Sequence, residues 1–305
     1  MKITACLILI LSSFTMFGQT SWTQKYSVKT TFKLGESHIY EVNELFKLDN
    51  IFYRIRSEIK STVIFEVVDT ANGGEWIRYN VFTNSVKQKR DSSAILLAKL
   101  MDGIQLYIYA KNGFLQLDST SYYKTKNRVS KALDSITVNE PTTKKNQYIA
   151  FIKSELEKPS GLGSLLTPLL IFESYYFSKE YKKYLLTETG ESTDIFHNVS
   201  FYGGIEKQWK TTTQDSIVKL NFKFIGDPTQ AASYYKAYYK KLLEAQNIKK
   251  GKNFYPDFMR YISDYRFQSK FNCAFPILLS RKSVSEYLFR TVSKVTMKEL
   301  DLVLR

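Results

Sequence analysis

The chain is predicted to fold as an antiparallel α+β protein: a large curved sheet, half-barrel-like, with helices packed on one side. Three observations carry that expectation. Residues 61–84 alternate as a β-hairpin, with Val63, Phe65 and Val67 on one face and Ile64, Glu66 and Val68 on the other. Trp76, Arg78, Asn80 and Phe82 then alternate with Ile77, Tyr79 and Val81, and the stretch from Asp69 to Gly74 supplies the turn. A second hairpin, Ile104–Ala110 and Phe114–Leu117, closes across Lys111-Asn112-Gly113, a strong short turn signal. Helical spacing is confined to blocks between groups of strands, which excludes a regular βαβ array.

In chain order, residues 1–18 are predicted to be a signal peptide. Lys2 is the positive start, Leu7-Ile8-Leu9-Ile10-Leu11 the centre of the apolar run, and Gly18 the residue before cleavage at Gln19. An apolar run of about ten residues is shorter than the roughly twenty needed to span a bilayer. The remaining residues 19–305 are predicted to form a single α+β domain, with a flexible joint near 159–163 at Pro159, Gly161 and Gly163. Residues 19–36 form a lead-in that carries Trp22 and Tyr26.

Strands are expected over Ile39–Leu48 and Ile51–Ile59, with Asp49-Asn50 turning between them. Residues 85–93 read as a loop, and Ile95–Met101 as a short helical or irregular piece. Asp118 or Ser119 can cap a helix that carries Tyr122, Val129, Leu133 and Ile136 on one face. Tyr148, Ile149, Ile152 and Leu156 define a second helix. Strands resume at Lys182–Glu188, Ile205–Thr213 and Ile217–Ile225. Asp227-Pro228 then starts a helix that runs to about Lys250. Phe258–Leu304 reads as four short strands.

This order, with the entry Lys33-Leu34-Gly35-Glu36-Ser37-His38-Ile39-Tyr40 after a signal peptide, resembles exported β-rich proteins of Gram-negative bacteria. More loosely it is similar to the LolA-like lipoprotein carriers of the periplasm. The resemblance implies a curved sheet wrapped around helices over an apolar cavity, and it carries over no functional residue.

The inventory narrows the chemistry. His38 and His197 are the two histidines, and Cys273 is the one cysteine beyond the leader, so no intramolecular disulfide and no metal site are expected. An exported chain without disulfides suits a bacterial envelope: periplasm or outer envelope. Cys273, in an apolar setting, reads as a structural thiol. Neither a Gly-x-Ser-x-Gly elbow nor a phosphate loop occurs. Asp69-Thr70-Ala71 lacks the glycine of an aspartic-protease loop and reads as a turn aspartate. No cofactor and no catalysis are expected.

The net charge is +15, or +14 once Lys2 leaves with the leader. Its expected counterparts are anionic headgroups or glycans at a peripheral membrane contact rather than nucleic acid. The feature singled out for binding is Leu165–Phe172, with Leu165, Leu166, Leu169, Leu170 and Phe172 as candidate ligand-binding residues. One reading makes this a buried core helix kinked at Pro168. The other makes it the lining of an apolar cavity for a lipid or glycolipid. The expected function is therefore non-catalytic binding or carriage of a hydrophobic or anionic envelope ligand. Docking of an envelope protein on exposed hairpin edges is the alternative, and a hydrolase assembled from distant residues is the weaker one.

Overall fold

The computed structural model describes residues 25–28, 32–50, 54–89, 92–111, 114–139, 166–177, 180–182, 186–194, 199–212, 217–230, 232–233, 236, 258–271, 273–289 and 292–305. In order these form β1 (Lys25–Ser27), β2 (Ser37–Asn50), β3 (Arg54–Ala71), β4 (Gly74–Lys89), α1 (Ser92–Met101), β5 (Ile104–Lys111), β6 (Phe114–Leu117) and α2 (Ser119–Asn139). Then follow α3 (Thr167–Phe177), β7 (Glu180–Lys182), β8 (Leu186–Asp194), β9 (Val199–Thr212), β10 (Ile217–Gly226), β11 (Phe258–Lys270), β12 (Leu278–Phe289) and β13 (Val292–Leu304). Among the described residues the protein is mostly β, with few helices, where an α+β fold with helices packed on one side of the sheet was expected.

Eleven strands make one sheet in the order β6-β5-β4-β3-β2-β13-β12-β11-β10-β9-β8. Every neighbouring pair is antiparallel. The sheet is open, with β6 and β8 at its two ends; β1 and β7 pair separately. Strands β2 to β6 step outward in one direction, and β8 to β13 return from the far end. The two runs meet where β13 pairs with β2, from Lys294↔Asn50 to Leu304↔Tyr40.

The organising hairpin is β3–β4. Asn72 (φ 55°) and Gly73 (φ 74°) occupy its two turn positions, where positive φ at both residues makes the tight turn that matches strand twist. The expected turn from Asp69 to Gly74 thus narrows to two residues. Over the described residues, the strands expected at 51–59 and from 61 are one strand, β3, and the irregularity is a register shift between Lys60 and Ser61, where the extra residue, Asn84, lies in β4. Ser57, Ile59, Ser61, Val63, Phe65 and Val67 are buried at every second position, and an unbroken period of two continues a strand through a bulge.

Other boundaries differ for similar reasons. Residues 85–89 belong to β4 instead of a loop, because they pair with the early part of β3. The stretch from 182 to 188 is divided between β7 and β8, and the C-terminal region holds three long strands instead of four short ones. The second helix expected over 148–156 and the joint at 159–163 lie outside the described residues.

The helices complete the sheet. β6 pairs with the Ile108–Lys111 part of β5, and among the described residues the earlier part of that edge has no strand neighbour. α2 meets part of that edge with side chains: Tyr107 N donates to Ser121 Oγ at 3.1 Å, and Thr125 Oγ1 donates to Gln105 O at 3.3 Å. Asp118 caps α2 by accepting from Ser121 N at 2.7 Å. Arg128 of α2 donates to Leu100 O and Asp102 O, which ties it to the end of α1, where Gly103 turns the chain at φ 66°. Further on, Asp227 accepts from Gln230 N at 2.8 Å, which caps the helical residues that begin at Pro228.

The exposed face of the β13–β9 half carries a charge ladder. Glu299 pairs with Lys282, Lys282 with Asp264, Asp264 with Lys223, and Lys223 with Glu206, so sign alternates across five strands. Opposite charges directly across strands stabilise by about 0.2–1 kcal/mol each.

The Asp118 cap gives a direct test. Its carboxyl is held below the usual carboxylate range, first by the hydrogen bond from the Ser121 backbone N–H. Asp118→Ala is expected to lower the unfolding free energy by about 1 kcal/mol at pH 7. A folded-state pKa below the unfolded one stabilises above the unfolded value of 3.8 and stops doing so as pH falls through the folded value. Urea titrations of wild type and variant should therefore converge as pH falls through the folded value.

Candidate ligand-binding face

α3 is rich in apolar residues, Leu169, Leu170, Ile171 and Phe172 following one another in its first half. Leu166 just before it, and Leu169, Ile171, Phe172 and Tyr175 within it, are buried in the main core cluster. Phe172 stacks on Phe65 of β3 at 4.1 Å between ring centroids, and Tyr175 meets Phe267 of β11 edge-on at 5.4 Å. α3 therefore packs against strands from both halves of the sheet. Of the sequence-predicted residues, Leu166, Leu169 and Phe172 come together in this core. Leu170 is half-buried, and Leu165 lies outside the described residues. The expected kink at Pro168 is not needed: Pro168 sits in the first helical turn, where proline fits without a break.

The short connection between β11 and β12 folds onto the same core. Phe275 stacks on His38 at 4.1 Å and lies 5.8 Å from Phe172, and Tyr40 donates from its hydroxyl to Pro276 O at 2.7 Å. His38 is held by Glu36 at 2.9 Å. Cys273 is half-buried and donates to Phe275 O at 3.3 Å. Asp69 accepts from Thr70 N at 2.7 Å, as a turn aspartate does. His197 lies outside the described residues. Among the described residues no group of three histidine, cysteine or carboxylate side chains could hold a metal ion, and no helix is long and apolar enough to cross a membrane.

Beyond this aromatic region the buried face of the sheet changes character. Phe267, Leu279, Leu302 and Val42 form an apolar cross-strand row. Next comes Tyr265, Arg281, Leu300 and Glu44, then Ser263, Ser283 and Lys298, then Tyr261, Ser285 and Thr296. Arg281 is 4% exposed. Its Nε donates to Ser263 Oγ at 3.0 Å and Ser283 Oγ at 3.2 Å, and its Nη2 to Tyr261 at 3.2 Å; the guanidinium also lies 4.8 Å from the centre of the Tyr265 ring. The two serine hydroxyls bond to each other at 2.8 Å. Lys298 forms an ion pair with Glu44 and donates to Thr167 Oγ1 at 3.1 Å, which joins the β2–β13 seam to the start of α3.

Among the described residues, the buried hydroxyls without a hydrogen-bond partner include Ser285 Oγ at the end of the polar belt and the Tyr26 and Tyr79 phenols. Burial and the nearby charge of Glu44 push the Tyr79 phenol well above its ordinary range. Buried polar groups without partners are few in native proteins, so each calls for a partner such as an ordered water or a bound group.

The sequence did not flag this belt. The one trace it left is Arg281-x-Ser283-x-Ser285, a period-two run of polar residues in a strand. Taken alone, that spacing suits a solvent-facing row as well as a buried one.

No protein-family model matches the chain, and no curated protein matches it. Among solved structures, a lipovitellin structure described as showing lipid–protein interactions in that protein is similar over 90% of this chain, with a TM-score of 0.44 and 8% sequence identity. The chain spans 25% of the length of that lipovitellin chain. A likeness this weak says nothing of what this chain binds.

The ion pair has a measurable signature. Lys298→Ala leaves Glu44 buried without its partner and is expected to cost about 3–5 kcal/mol. Replacing both residues with leucine or methionine should restore most of that loss, because a well-packed apolar pair avoids the desolvation cost. Chemical denaturation of the single and double variants separates the two.

Proposed function

We propose that the protein is a non-catalytic carrier of an amphiphilic ligand, exported to the periplasm or outer envelope after loss of residues 1–18. In this reading the sheet curves around its helices. The ligand's apolar part lies along α3 and the aromatic side chains of the buried face, and its polar end meets the belt at Ser285. The observation that carries the reading is the Ser285 hydroxyl: buried, without a partner, and in line with Thr296 and Tyr261 beside a buried arginine. A hydroxyl there costs stability unless a ligand supplies its hydrogen bond. The apolar half of the reading is supported by Phe65, Phe172 and Phe267, buried aromatic rings on the same side of the sheet as the belt. Export is supported by the positive start, the short apolar run and Gly18. Because the belt serines are buried, loading and release require a covering segment to move.

The test is native mass spectrometry of the mature protein purified from its own envelope, with solvent extraction of whatever is bound. One lipid or glycolipid per chain is the expected result. Ser285→Ala should leave the ligand-free protein as stable as wild type or more so, since it removes an unsatisfied group. It should also weaken ligand retention by about tenfold, the loss of one buried hydrogen bond. A ligand-free mass would overturn the carrier reading and shift weight to docking of an envelope protein. A bound ligand whose retention ignores Ser285→Ala would place the site elsewhere.

A further inference from the structure

The exposed face of the sheet treats charge in two opposite ways. Across β13 to β9 sign alternates, as described above. Across β2, β3 and β4 one row breaks that pattern: Lys47 pairs with Arg56, and Arg56 with Lys89, so three cations stand together between a row where Asp49 faces Arg54 and one where Glu58 faces Lys87. Lys87 lies two residues from Lys89, and Arg54 and Lys60 continue the same face of β3. Like charges directly opposite each other destabilise a sheet. Asp49 reaches Arg54 at 3.7 Å and Glu58 reaches Lys60 at 3.7 Å. Lys47, Arg56, Lys87 and Lys89, however, form no ion pair with any described residue. The row is also firmly backed, because α1 packs Ala94 and Ala98 against Ile59 and Val86 on the opposite face of the same strands.

We infer that this row is a docking surface for an anionic lipid bilayer. Lys47, Arg56 and Lys89 stand about 5 Å apart from strand to strand, on the face of the sheet rather than in a groove. A row of cations without ion-pair partners on an exposed sheet face is complementary to an anionic surface, where several headgroups can be met at once. A single-stranded nucleic acid is bound instead by a groove with aromatic platforms for its bases, and Lys47, Arg54, Arg56, Lys60, Lys87 and Lys89 have no aromatic side chain interleaved in their rows. The surface lies on the face opposite the Arg281 belt, so it stands whether or not an amphiphile binds there.

The test is co-sedimentation of the full mature chain with vesicles of equal phosphatidylglycerol and phosphatidylcholine, against vesicles of phosphatidylcholine alone. Binding to the anionic vesicles should be at least about tenfold tighter at low salt and should fall away at about 0.5 M salt, where screening is strong. Arg56→Glu sets a carboxylate between two lysines. It should match or exceed wild type in thermal midpoint and lose about tenfold or more in vesicle affinity. Lys47→Ser with Lys89→Ser should lose affinity in the same direction, which guards against a defect peculiar to one variant. Equal binding to both vesicle types, or wild-type affinity in both variants, would overturn the proposal. Retention on heparin or single-stranded DNA without vesicle binding would overturn it as well and would make the row a polyanion site.

Discussion

The pairing of β13 with β2 is the constraint on which the rest of the structure depends. Without it the chain would form two separate meanders, each with an exposed edge at the place where the buried face is most densely filled. With it, Leu302 comes beside Val42 and Leu300 beside Glu44, and a single face runs through both halves. The seam is locked from several directions. Lys298 reaches Glu44 across it and Thr167 beyond it, and Arg305 donates from its backbone to Ile39 O at 3.0 Å and from its side chain to Glu41. Residues more than two hundred apart in the chain must find each other before either half is closed, and contacts of that separation form late and slowly.

Once the seam is fixed, the two faces take on distinct tasks. The buried face begins with aromatic packing, Phe65 on Phe172 and Phe275 on His38, and passes within three cross-strand rows to serines and an arginine. Strong packing at one end lets a less comfortable arrangement persist at the other, because the rows share the same strands. The exposed face is sorted as well: alternating charges add to stability on one half, while a like-charged row subtracts from it on the other. Places where a fold gives up stability without a local structural return are where binding is reasonably sought.

Much of the strand structure was legible because period-two patterning is a local property. The β3–β4 hairpin, its Asn72-Gly73 turn, the Asp118 cap and the Asp227-Pro228 helix start all follow from side chains within a few residues of one another. The misreadings occurred where local signals understate continuity. β3 was divided in two because nothing in its sequence shows that a bulge near Lys60 interrupts only the register. The end of β4 reads locally as a loop because Lys87-Gln88-Lys89 is polar on both faces, and only its pairing with Arg56, Ser57 and Glu58 makes it a strand. The apolar run through Leu166, Leu169 and Phe172 was noticed for its composition, but whether it packs, lines or gates is decided by what it touches.

The amino-acid order was sufficient to determine the strand-rich character, the positions of the tight turns and the helix starts, because these rest on backbone preferences and on side chains close in sequence. It could not determine which strands become neighbours or which side of a strand is covered. Arg281, Ser283 and Ser285 have the same alternation whether they face water or the core. Lys47, Arg56 and Lys89 are unremarkable basic residues until three strands bring them into one row. Register and burial arise between segments far apart in the chain, so both the belt and the basic row exist only at the level of the folded sheet.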